Sequence, residues 1–140
     1  MKIKFYEKNS LANYKYVVVV SKYQDDFVLV RHKTRDKLEI PGGRVKEGES
    51  LLIASKRELY EETSATDFDI FHVCDYISTI DGEDNNGGLF YADIKEFGVV
   101  LNKDIEHIEL HSQLPEEKDL TYGEIHRQLL EKVKSEIKGI

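Results

Sequence analysis

A chain of 140 residues, 40 % apolar and 34 % charged, has the size of one globular domain (1–140) and too many strand-like apolar runs to be read as disordered. Twenty basic against 27 acidic side chains leave a net charge of −7, which argues against a broad basic face for extended nucleic acid. The single cysteine, Cys74, excludes an internal disulfide, and the longest apolar stretch, Tyr16–Val20, is too short to cross a bilayer, so a cytoplasmic, membrane-free setting is expected.

The run Tyr16–Val20 is continuous and β-branched, the pattern of a buried strand. Asp25-Asp26 mark a turn, and Phe27–Arg31 returns as a second strand. Leu38–Ile40 reads as a short extended piece halted by a turn at Pro41-Gly42-Gly43. Ser50 is placed to N-cap a helix running to about Thr63, with Leu52, Ser55 and Leu59 on its buried face. Phe68–Ser78 reads as a strand, Asp81–Gly88 as a flexible connection and Leu89–Ile94 as the strand partner. Ile105–Leu110 alternates like a half-exposed strand. Thr121 and Glu124 have capping-box spacing, ahead of an amphipathic helix carrying Ile125, Leu129, Val133 and Ile137. Strands outnumber helices, with two helices available to cover a sheet.

The chemistry is concentrated between Gly43 and Glu62. Glu47–Glu62 holds five carboxylates in 16 residues, where the chain average gives about three. Their arrangement matters more than their number. Glu58, Glu61 and Glu62 stand at i, i+3 and i+4, on one side of a helical turn and beside its apolar stripe. Three carboxylates at the edge of a dry surface suggest a divalent cation. A solvated acidic face with an ordinary Arg57–Glu61 ion pair explains the spacing of the acids equally well. The preceding glycines shift the balance, because they let bare backbone approach a ligand.

The segment Gly43-x5-Glu49-x7-Arg57-Glu58-Leu59-x-Glu61-Glu62-x-Ser64-Ala65 resembles the signature of the Nudix (MutT-like) hydrolase family, and His32–Val45 looks like a nucleoside-triphosphate-cleaving branch of it. Ser64 stands where that family usually has glycine. The resemblance implies an α/β/α sandwich, a mixed sheet flanked by helices, and hydrolysis of a nucleoside diphosphate linked to some group. It implies that Glu58, Glu61, Glu62 and the Gly43 carbonyl hold Mg²⁺ or Mn²⁺, and that Glu58 or Glu61 takes a proton from water. Arg57 would orient the acids, and Glu49 would act from behind them. A later acid, Asp104 or Glu106, would join the site in some members.

Arg31, Lys33 and Arg35, with His32 among them, form a basic cluster that could meet phosphates, or equally a solvated turn. The five histidines have no metal-ligand spacing. Tyr76, Phe90 and Tyr91 could stack on a base, but on strands they read as core. The expected partner is a small nucleotide, with a monomer or homodimer open. The alternatives are an RNA 5′-end pyrophosphohydrolase, a non-catalytic nucleotide-sensing module and a structural domain that binds divalent ions.

Overall fold

The valines of the run Tyr16–Val20 lie in the middle of the sheet. The computed structural model of the chain describes residues 1–99 and 102–140. In it, Tyr16–Tyr23 forms β2, whose Val17 and Val19 point to one face while Val20 points to the other, all three buried. A strand buried on both faces reads as a continuous apolar run instead of an alternation. Its long neighbour β7 (Glu83–Phe97) runs parallel to it, Tyr16 facing Gly87 and Tyr23 facing Ile94.

Around this pair the described residues build one eight-stranded mixed sheet. The remaining strands are β1 (Lys2–Tyr6), β3 (Asp26–His32), β4 (Leu38–Glu39), β5 (Gly42–Arg44), β6 (Ala65–Ile80) and β8 (Ile105–His111). The order is β1-β6-β7-β2-β3-β4, with β5 also paired to β2 and β8 to β3. Helix α1 (Leu51–Thr63) covers one face through Leu51, Ala54 and Leu59, which pack with Val17, Val28 and Phe90. Helix α2 (Gly123–Glu136) covers the other through Ile125, Leu129 and Val133, which pack with Leu29, Leu89 and Tyr91. The expected α/β/α layering is present. No helix among the described residues is long and apolar enough to cross a membrane.

Several local expectations need correction. Asp81–Gly88 is not a flexible connection: only Asp81 and Gly82 turn, with φ of 51° and 76°, and Ile80 pairs directly with Glu83. Two positive φ values make the tight hairpin turn that an Asp-Gly pair favours, and the polar residues after it continue the ladder. Gly42 and Gly43 are likewise not a turn; they pair with Val18 and Val17 as part of β5. The first turn falls at Gln24-Asp25, and Asp26 already belongs to β3. The N-terminal β1, an edge strand on β6 whose Ile3 and Phe5 alternate with lysines and pack against the core, adds to the expected strands.

Thr121 does not cap α2. Tyr122 is the N-cap residue and makes no side-chain cap bond, while the Thr121 hydroxyl donates to Glu39 at 2.9 Å. Ile137 falls just past the helix as its C-cap. On α1 the buried face runs through Leu51, Ala54, Ser55, Leu59 and Glu62, and Leu52 is exposed. That rotation by one residue carries an acid onto the buried stripe.

Candidate active site

Helix α1 is a well-bounded platform. Ser50 accepts a hydrogen bond from the Ile53 amide at 3.1 Å, satisfying one of the free N–H groups at the helix start. Ser64 closes the far end in the left-handed conformation, φ 66° and ψ 18°, its amide donating to the Tyr60 carbonyl. Between these caps Arg57, Glu58, Glu61 and Glu62 project toward β5 and the loop that follows it.

Arg57 organises the group. Its Nε and Nη2 donate to both oxygens of Glu49 at 2.6 and 2.9 Å, a bidentate pairing. Nη1 donates to Glu58 at 2.8 Å and to Glu61 at 3.1 Å, and Nη2 also reaches the Arg44 carbonyl at 2.8 Å. All five guanidinium N–H donors are therefore used. The Arg57–Glu61 pair is one arm of a hub that fastens α1 to β5 and to Glu49. These bonds pull the Glu49 carboxyl down to about 2, with help from the Lys46 amide, and raise the Arg57 guanidinium further above its ordinary value.

Glu62 is held separately. One oxygen accepts from the Gly42 amide at 3.0 Å and the other meets His32 Nε2 at 2.8 Å. The hydrogen bond to Glu62 raises the His32 imidazole above its ordinary value, against the opposing effect of burial. Glu58 lies against Gly43, where an added Cβ would overlap its carboxylate. Burial pushes the Glu58 carboxyl up, the Arg57 bond pulls it down, and the charges of Glu62 and Glu61 add to the upward push. Glu61 is the most open of the three, its side chain 37 % exposed against 12 % for Glu58 and 9 % for Glu62.

The acids share a region but do not converge on one point. Among the described residues, no three His, Cys, Asp or Glu side chains stand together at ion-binding distances. Each acid is turned to its own donor: Arg57 for Glu49, Glu58 and Glu61, and His32 with the Gly42 amide for Glu62. Four carboxylates face one guanidinium and one imidazole, so the region is short of positive charge. An all-oxygen donor set with a charge deficit fits a hard divalent cation.

The family-model description NUDIX domain matches residues 13–135. The chain belongs to the Nudix family. No curated protein matches it. Solved structures similar to this Nudix chain include the pyrophosphohydrolase BsRppH of Bacillus subtilis, solved as a point mutant, at 22 % identity and TM-score 0.80, covering 96 % of this chain and 89 % of that one. The NUDIX domain of Shewanella oneidensis NrtR, complexed with ADP ribose, matches at 18 % identity and TM-score 0.69, over 93 % of this chain and 92 % of that one. A UDP-X diphosphatase matches at 18 % identity and TM-score 0.68, over 94 % of this chain and 68 % of that one. At such identities the likeness is one of fold.

Arg31 and Arg35 stay together in this Nudix fold. Arg35 pairs with the buried carboxylate of Glu39, and Arg31 Nε donates back to the Arg35 carbonyl at 3.1 Å. Lys33 is exposed. Asp104 and Glu106 are exposed at and before the start of β8, beside His32, and neither is bonded to a glutamate of α1. The roles of His32 and Glu39 were missed because they depend on contacts 30 and 82 residues away in sequence, with Glu62 and Thr121. No local spacing announces such contacts.

Proposed function

We propose that this protein is a metal-dependent Nudix pyrophosphohydrolase of the cytoplasm that cleaves the diphosphate linkage of a small nucleotide, a nucleoside triphosphate or another nucleoside diphosphate derivative. The observation that carries the reading is the hub in which Arg57 holds Glu49, Glu58 and Glu61 beside Gly43. Glu58, Glu61, Glu62 and the Gly43 carbonyl are the groups that would hold Mg²⁺ or Mn²⁺. When bound, such an ion polarises phosphate oxygens and offsets the charge that develops in phosphoryl transfer.

The chain's own residues supply position and proton transfer. Arg57 sets the side-chain directions of Glu58 and Glu61, and Glu49 keeps Arg57 in place from behind. His32 and the Gly42 amide orient Glu62. Glu58 and Glu61 are the candidates to take a proton from the attacking water: burial raises the Glu58 carboxyl above its ordinary value, and Glu61 is the more accessible. The bound ADP ribose and the UDP-X named for two similar structures are nucleoside diphosphate derivatives, which supports that substrate class.

The test is a turnover screen with Mg²⁺ over nucleoside triphosphates, dinucleoside polyphosphates, nucleotide sugars, ADP ribose and 5′-triphosphorylated RNA. Hydrolysis of a small nucleotide is expected, with activity lost in excess chelator and restored by Mg²⁺ or Mn²⁺. Because the net charge of −7 repels a polyanion, RNA should be the poorer substrate in kcat/KM. A preference for RNA of about tenfold or more would replace this reading with the RNA-end one. Binding with no turnover of any member would leave a nucleotide-sensing module.

A further inference from the structure

The start of α1 opens on a groove of about 890 Å³, bounded by the first turn of that helix, by β6 and by the segment after β1. It shares no lining residue with the cavity of about 350 Å³ that Gly43 borders toward α2. Leu51, Leu52, Ile70 and Phe71 supply its apolar wall. Phe71 lies in the middle of β6 and is still exposed, an aromatic ring without a cover.

His72 also lines this groove, its ring stacked on Phe90 at 4.5 Å and 9°. Behind it the Asp75 carboxylate is fully buried and takes three donors: the Ser10 amide at 3.1 Å, the Tyr14 hydroxyl and His72 Nε2 at 2.9 Å. The Tyr14 hydroxyl accepts from the Leu11 amide, and burial with the Asp75 bond raises it above its ordinary value, so it stays a donor. A carboxylate only accepts, so Nε2 carries a proton and Asp75 fixes the direction of the ring. Nδ1 is the atom left over. It has no hydrogen-bond partner among the described residues, and it is not sealed from solvent. Asp75 therefore holds an imidazole whose second nitrogen is turned to open space.

The surroundings of that nitrogen are positive. Lys8 and Lys46 reach the groove from two different segments, both are exposed, and neither enters an ion pair. Glu49 is the one carboxylate in the lining, and Arg57 already occupies both of its oxygens. The first turn of α1 adds the positive end of its dipole. In a chain of net charge −7, unmatched positive charge here stands beside apolar surface. A phosphate monoester suits such a place, because its three free oxygens can meet two ammonium groups and Nδ1 together. It can pair with the ring in either form, its P–O⁻ accepting from an N–H and its P–OH donating to a lone pair. A carboxylate has two oxygens and no proton to give.

We propose that this groove binds a small phosphate monoester with an apolar body, its phosphate held by His72 Nδ1, Lys8 and Lys46 and its body against Leu51, Ile70 and Phe71. The site is separate from the α1 glutamates, and the inference does not depend on their chemistry.

Phenyl phosphate is the probe, titrated at constant pH into the metal-free protein while the imidazole ¹⁵N resonances of its five histidines are followed. His72 Nδ1 should shift saturably and by more than Nε2, and the resonances of His32, beside the α1 acids, should move less. Inorganic phosphate lacks the apolar body and benzoate lacks the phosphate, so each should bind about tenfold more weakly. Lys8→Gln and Lys46→Gln should each weaken phenyl phosphate by about two- to fivefold, the scale of an exposed ion pair. His72→Phe, which keeps the stacking on Phe90, should weaken it by about tenfold.

That last change also takes a donor from Asp75, so the wild-type titration and the two lysine variants decide if it does not fold. No saturable shift at His72, a larger shift at His32, equal affinity for inorganic phosphate or for benzoate, or lysine variants that bind as the wild type does would each overturn the proposal. A folded His72→Phe with undiminished affinity would overturn it as well.

Discussion

Arg57 presents five N–H donors in a rigid plane and directs three of its side-chain bonds and one carbonyl bond away from its own nearest neighbour, Glu58. Its role is geometric as much as electrostatic, which a lysine of equal charge could not reproduce. The acid it leaves most open is Glu61, so that residue gives the sharpest test of chemistry against structure. Glu61→Gln keeps the volume, removes a charge and leaves an amide oxygen that can still accept from Arg57 Nη1. We expect kcat to fall by about a hundredfold or more, the scale of a lost charged group in a catalytic site, with thermal stability unchanged or slightly raised through relief of repulsion with Glu58. Wild-type kcat at saturating Mg²⁺ would remove Glu61 from the reaction.

At the scale of elements, two backbone positions with positive φ define boundaries, and they are occupied differently. Ser64 ends α1 in the left-handed conformation with a side chain that disfavours it. Ser64→Gly relieves that strain, raises unfolded-chain entropy and gives up the contacts of a buried side chain. The opposing effects should leave stability within about 1 kcal/mol of the wild type, read as a Tm within a few degrees, with activity within a few-fold. Loss of activity would assign the hydroxyl a role of its own. Gly82 carries the β6–β7 turn at φ 76°, with nothing within 4 Å of an added Cβ. Gly82→Ala is therefore a test of backbone strain alone, and should destabilise by about 1–2 kcal/mol in denaturant titrations. An unchanged midpoint would mean the hairpin tolerates another turn.

For the whole molecule, the buried imidazole of His126 links folding to acidity. Its folded-state value of about 4 lies below the ordinary 6.5, so between those values the unfolded chain binds a proton that the folded chain does not. Stability is intact above pH 6.5 and falls as pH drops toward 4, by at most about 3 kcal/mol from this one group. Denaturant unfolding of the wild type and His126→Leu at intervals from pH 7 to pH 4 should show the steeper loss in the wild type. Parallel curves would show that His126 does not titrate in this way.

Much of this protein was legible in its sequence, for physical reasons that are local. A continuous valine run makes a doubly buried strand, Ser50 caps the helix it precedes, and the spacing of Glu58, Glu61 and Glu62 places them on one helical turn. The Asp-Gly turn was equally local but lay hidden in a polar stretch, because its strands take their burial from partners and not from their own composition. The capping-box pattern at Thr121 failed for a related reason: its hydroxyl found a better acceptor in Glu39, which only the packed fold brings within reach. Tertiary structure alone decided that Glu62 faces inward to His32, that Glu39 is buried against Thr121, and that Gly43 stands between the acids and a cavity on its other side. Helix periodicity and capping depend on residues a few places apart, whereas burial, ion pairing and cavity shape depend on which distant segments the sheet sets side by side.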